Sequence, residues 1–191
     1  MMRLKDQEMR MKNKQPTGQL VRSSLLIGTL AAVLASCAEV AAPPAPPSAP
    51  AFYNNLELPT SRLDVQDAAR VVSTYRVSKG LSPIIVDPEL VILAQNHANA
   101  QARANKVGHN IGSTFAKRVK SLNNKRSVSV ENVSAGYRSF AEAFSGWRDS
   151  KRHNANLLNK KVRRFGIAKA VNSKSKFKVF WTLVMTGDPI K

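Results

Sequence analysis

Apolar and polar positions recur along this chain with two periods, and each period marks a kind of element. Between residues 65 and 79, Ala68, Val71, Val72 and Tyr75 fall on one helical stripe. Asp64 is placed to cap its start and Gly80 to stop it. A second stripe, Leu90, Leu93, Ala94, His97, Ala98 and Gln101, opens with Asp87 as cap and Pro88 at the first helical position. It predicts a helix to about Lys106. His97 sits on the apolar stripe, where a histidine is expected as a hydrogen-bonded core residue. A polar, basic connection from Ile111 to Arg126 leaves room for one short helix around Phe115–Leu122.

The second period is two. Ser127-Val128-Ser129-Val130 alternates as a short strand leading into Glu131. Helical spacing returns where Ser139 and Glu142 form a capping box ahead of Phe140, Phe144 and Trp147. A further short helix follows between Ser150 and Leu158, carrying His153. The last third is strand-like: Phe165 to Val171 and Phe177 to Met185 flank the turn Asn172-Ser173-Lys174-Ser175. Alternation in Phe177, Val179, Trp181, Leu183 and Met185 puts one face inside. The predicted class is α+β, an αβα sandwich with helices flanking an antiparallel sheet. No internal repeat, GxGxxG, P-loop or HExxH is present.

The N-terminal third has neither period. Residues 1–22 carry six basic and two acidic residues, and an apolar run from Leu25 to Ala35 ends in small residues. That order is the pattern of a secretory signal, and the run is well short of the roughly 20 residues that span a bilayer. Leu34-Ala35-Ser36-Cys37 resembles the bacterial lipobox, which predicts a signal peptide over 1–36 and lipidation of Cys37. Ala41 to Ala51 holds five prolines and favours an extended spacer within a linker over 37–59, ahead of a domain over 60–191. Ala38 after the cysteine resembles outer-membrane sorting rather than inner, in a cell that has both.

Charge changes meaning once this segment is set aside. The full chain has 30 Lys+Arg against 12 Asp+Glu, a net charge of +18 that invites nucleic acid as a partner. Without residues 1–36 the balance is 24 against 10, or +14, and it belongs to an exported domain. The expected product is a monomer tethered through Cys37 at the cell envelope. Its partners would be the membrane and anionic lipids, lipopolysaccharide or wall polymers, not cytoplasmic nucleic acid. A single Cys excludes an intramolecular disulfide framework.

Four segments together resemble the CAP superfamily (cysteine-rich secretory, antigen 5 and pathogenesis-related-1 proteins), in its cysteine-poor bacterial branch. They are Leu90-x-x-x-Ala94-x-x-His97-Ala98 with Gly108-His109-Asn110; Glu131-Asn132-Val133-x-x-Gly136; Trp147-x-x-Ser150-x-x-His153-x-x-Asn156-Leu157-Leu158; and Phe165-Gly166-Ile167-Ala168 with Phe180-Trp181-Thr182. The resemblance implies a shallow cleft with two histidines and two glutamates, which in some members binds a divalent metal. On this chain it places His109, Glu131 and His153 in the cleft. Ser150 stands where the second glutamate belongs, Val130 replaces a glycine, and Asn154 replaces an arginine. Two imidazoles and a carboxylate suit zinc with one position open to water, so a divalent metal such as zinc is the cofactor to expect, if any. The rival reading is a metal-dependent or Ser/His hydrolase acting on envelope polymers or proteins, with Glu131, His153 and Ser150 as catalytic candidates. A lipid carrier or scaffold without cleft chemistry is a third.

Overall fold

The computed structural model describes residues 49–122, 126 and 128–189. The expected signal peptide, the lipid attachment at Cys37 and most of the proline-rich spacer lie outside the described residues. No helix of the described residues is long and apolar enough to cross a membrane.

The helices start where polar caps satisfy their first N–H groups. Helix α1 (Val65–Ser78) is capped by the Asp64 carboxylate, which accepts from the N–H of Asp67. Helix α2 (Pro88–Ala104) is capped by Asp87 and ends at Asn105 in the left-handed conformation, so it is two residues shorter than expected. Helix α3 (Phe115–Lys120) is capped by Thr114. Helix α4 (Phe140–Asp149) has the expected capping box: Ser139 Oγ accepts from Glu142 N–H, and Glu142 Oε2 accepts from Arg138 N–H. Helix α5 (Lys151–Leu157) follows after a single residue, Ser150.

Four strands form one sheet in the order β1-β3-β4-β2: β1 (Ile85–Val86), β2 (Ser129–Ala135), β3 (Arg164–Val171) and β4 (Val179–Thr186). The hairpin β3–β4 is antiparallel as expected, and β2 pairs antiparallel with the far edge of β4. Strand β1, unforeseen in the sequence, adds a two-residue parallel pairing to β3. Strand β2 is longer than expected and carries Glu131 inside the ladder, opposite Val184.

Strand β4 is buried along its whole length rather than on one face. The reason is the three-layer packing. Trp181, Leu183 and Met185 join the α1, α4 and α5 side with Val72, Phe140, Trp147 and Leu157. Phe180 and Val184 turn to α2, against Ala98 and Leu90. A central strand covered on both sides loses the polar face that alternation would otherwise show. Gly166 on β3 is required by this contact, because a Cβ there would lie inside the backbone of Leu90 and Val91.

Packing also begins before residue 60. Ala51–Tyr53 forms a 3-10 turn, Leu56 is 2% exposed, and its N–H donates to the Arg138 carbonyl at 2.7 Å. The Lys169 ammonium reaches the carbonyls of Leu56 and Leu58 and the Ser61 hydroxyl at 3.1–3.2 Å. The end of the expected linker is therefore part of the fold.

Candidate functional site

The site forms where α2 ends and β2 passes alongside. After the Asn105 stop the chain turns back, and the Gly108 carbonyl meets His97 Nε2 at 2.9 Å. His97 is 1% exposed, the core histidine that its stripe implies. His109 follows at once, outside the helix, and points Nδ1 at Glu131 Oε1, 2.8 Å away. The Glu131 side chain is 1% exposed, whereas that of His109 is 53% exposed.

The second oxygen of Glu131 is taken by a residue that sequence patterning placed elsewhere. Arg118, on α3, donates from Nη2 to Glu131 Oε2 at 2.5 Å. From Nη1 it donates to the carbonyls of His109 (2.9 Å) and Ser113 (2.6 Å), and its guanidinium lies 5.6 Å from the Phe115 ring centre. Its side chain is only 10% exposed. In the sequence Arg118 belongs to a basic run that reads as a surface face; the buried carboxylate one strand away draws it inward. Arg126 behaves likewise, 2% exposed and paired with Asp87 and Glu89.

Strand geometry explains the rest of the constellation. Neighbouring residues on β2 point to opposite faces. Glu131 lies opposite Val184, which packs against α2, so its carboxylate faces the α2–α3 side. Asn132 faces α5: its Nδ2 donates to the His153 carbonyl at 3.1 Å, and its Oδ1 accepts from Asn156 Nδ2 at 2.8 Å. Asn156 also donates to the Glu131 carbonyl at 3.0 Å. His153 is half-buried on α5 and is held below its ordinary pKa by burial first and by the neighbouring His109 second. The two histidines therefore lie within electrostatic reach of one another. Asn154, in place of the family's arginine, accepts from the Tyr75 hydroxyl at 2.9 Å.

Of the sequence-derived candidates, the structure brings His109 and Glu131 into contact and leaves His153 beside them without a hydrogen bond to either among the described residues. No group of three His, Cys, Asp or Glu side chains among the described residues is arranged to hold a metal ion. Both carboxylate oxygens of Glu131 are engaged, one by a guanidinium, so the residues as arranged do not fit a divalent metal at that carboxylate. Ser150 sits between α4 and α5 as a backbone acceptor for Asn154 N–H, and no hydrogen bond joins it to His153 among the described residues. Arg118, Asn132 and Asn156 are the residues that hold the site together. Asn132 and Asn156 lay in the quoted motifs, but nothing in local spacing marked Arg118.

An αβα sandwich with a His–Glu pair beside the end of its second helix defines the class of protein. The chain belongs to the CAP family: the model of the cysteine-rich secretory protein family matches residues 69–185. No curated protein matches the sequence. Among solved structures, an extracellular SCP-domain protein from Bacillus anthracis aligns with a TM-score of 0.57 at 21% identity, covering 65% of this chain and 40% of that one. An outer surface protein from Borrelia burgdorferi aligns with a TM-score of 0.57 at 15% identity, over 65% of this chain and 96% of its own. A cysteine-rich secretory protein from Staphylococcus aureus gives 0.54 at 16%, covering 65% of this chain and 38% of that one. This chain thus spans well under half of the Bacillus and Staphylococcus proteins. At these identities the likeness is one of fold.

Proposed function

We propose that this is a lipid-anchored cell-envelope protein whose CAP domain binds an anionic envelope ligand through a basic rim beside the cleft. One observation carries the reading. Lys151, Arg152, Lys160, Lys161 and Arg163, on α5 and the loop after it, are all exposed, and none makes a salt bridge among the described residues. The acids that would offset them are engaged elsewhere: Glu131 with Arg118, Asp149 with Arg148, Asp188 with Arg164. A row of uncompensated cations on a domain tethered near a membrane is drawn to phosphate-bearing headgroups or polymers. The lipobox-like Cys37 supports the tether, and relatives of the same fold are described as extracellular or outer-surface proteins.

Sedimentation of the chain lacking residues 1–37 with vesicles tests the electrostatic part. Binding to phosphatidylglycerol vesicles should exceed binding to phosphatidylcholine vesicles and fall steeply between 50 and 500 mM salt, a range set around the screening length of about 10 Å at 0.1 M. Equal binding to both lipids, or binding indifferent to salt, would sink the proposal.

A further inference from the structure

We propose that the Arg118 guanidinium occupies the place a divalent cation would take in this cleft, so that the domain carries its own cation and works without a metal. The guanidinium is enclosed by oxygen: the Glu131 carboxylate and the carbonyls of His109 and Ser113, at 2.5, 2.9 and 2.6 Å. A carboxylate and backbone carbonyls are the donors a hard divalent ion recruits. Here they converge on a side chain that cannot lose its charge at neutral pH. The arrangement is buried on both sides, with Arg118 10% and Glu131 1% exposed, so the charges are compensated by each other rather than by water.

The same geometry disables the other ligands. His109 spends Nδ1 on Glu131, which leaves only Nε2 on a half-exposed ring to meet a metal. His153 makes no hydrogen bond to Glu131 or His109 among the described residues; α5 is held through its backbone instead, the His153 carbonyl accepting from Asn132 Nδ2. A divalent ion arriving at Glu131 would have to displace a guanidinium making three hydrogen bonds and then remain beside its charge. The family resemblance implies a His–Glu–His set, and the structure puts an arginine on its glutamate. The inference is independent of the anionic-ligand reading, which stands or falls on vesicle binding.

The experiment is a zinc titration of the metal-stripped full-length chain by calorimetry, comparing wild type with Arg118→Met and with Arg118→Met combined with Glu131→Gln. Wild type should show no one-to-one zinc site that depends on His109. Arg118→Met should bind one zinc at least about tenfold more tightly than wild type, the scale on which groups supporting a metal site act. Adding Glu131→Gln should remove that gain. Should Arg118→Met fail to fold by circular dichroism, Arg118→Gln, which can still donate to Glu131 but is uncharged, replaces it. A wild-type zinc site that disappears in His109→Ala overturns the proposal. So does a folded charge-removing variant that binds zinc no better than wild type.

Discussion

At the scale of single residues, the arginines carry most of what is unexpected. Arg76, on α1, is fully buried without a carboxylate; it donates to the carbonyls of Ser82, Leu157, Asn159 and Val162. Burial pushes its pKa below the ordinary arginine value, and the nearby Arg163 adds to that. Two of those carbonyls are Leu157, at the end of α5, and Asn159 just beyond it, where the helix dipole is negative. Arg76→Ala would leave four carbonyls without their donor and is expected to cost about 3–5 kcal/mol in urea denaturation. Arg76→Lys should recover only part of this, because one ammonium cannot reproduce the planar fork. His97 sets a pH dependence. Burial depresses its pKa most; Arg118 and His109 act in the same direction, while Glu131 and the Gly108 carbonyl oppose. Its neutral form is therefore favoured by folding. The unfolded chain takes up the proton first as pH falls through about 6.5, so stability is full above that value and declines below it. Half-buried His153 adds to the decline with the same sign. Urea midpoints should fall from pH 7.5 to pH 5.5, and His97→Gln should flatten part of that slope. An unchanged slope in a folded His97→Gln would show that other groups set it.

At the scale of elements, helix starts were legible because caps are local: Asp64, Asp87 and Ser139 each act within three residues of themselves. Ser139→Ala is expected to lower stability by about 1 kcal/mol, measured from the shift in thermal midpoint. The contact between α2 and the sheet is more demanding. Gly166→Ala forces a methyl into the Leu90–Val91 backbone, which can only lift the helix off β3. A loss of about 2–4 kcal/mol is expected on chemical denaturation. A near-neutral effect would mean that α2 slides freely over the strand. Strand limits were less legible. Strand β1 has two residues and no alternation to read, and β4 is buried on both faces because helices cover both. The candidate site was legible only in part. His109 and Glu131 are in contact, while His153 lies near His109 without a hydrogen bond to either among the described residues, its carbonyl accepting from Asn132.

At the scale of the whole molecule, the prediction concerns location and charge. Replacing Cys37 by Ser should move the expressed protein out of the detergent-extracted membrane fraction and abolish incorporation of labelled palmitate. Palmitate incorporation that persists in that variant would rule the lipobox reading out. Neutralising Lys160, Lys161 and Arg163 together should weaken binding to anionic vesicles, by about threefold if each residue near a charged surface contributes only a fraction of the roughly 1 kcal/mol possible there. It should leave the urea midpoint unchanged within about 0.5 kcal/mol, since these side chains are exposed and make no salt bridge among the described residues.

The sequence by itself determined the helix caps, the closing hairpin, the layered α+β class and a basic domain behind an export-like segment. These follow from residues close together in the chain, where spacing alone decides which faces meet water. Only the tertiary structure decided which charges went inside. Arg76 finds carbonyls more than 80 positions away, and Arg118, on helix α3, finds a carboxylate 13 positions on, in strand β2. A long cationic side chain has the same local signature whether it ends in solvent or on a buried acceptor. The difference is made by the partner that folding brings to it, and for Arg118 that partner is the buried Glu131.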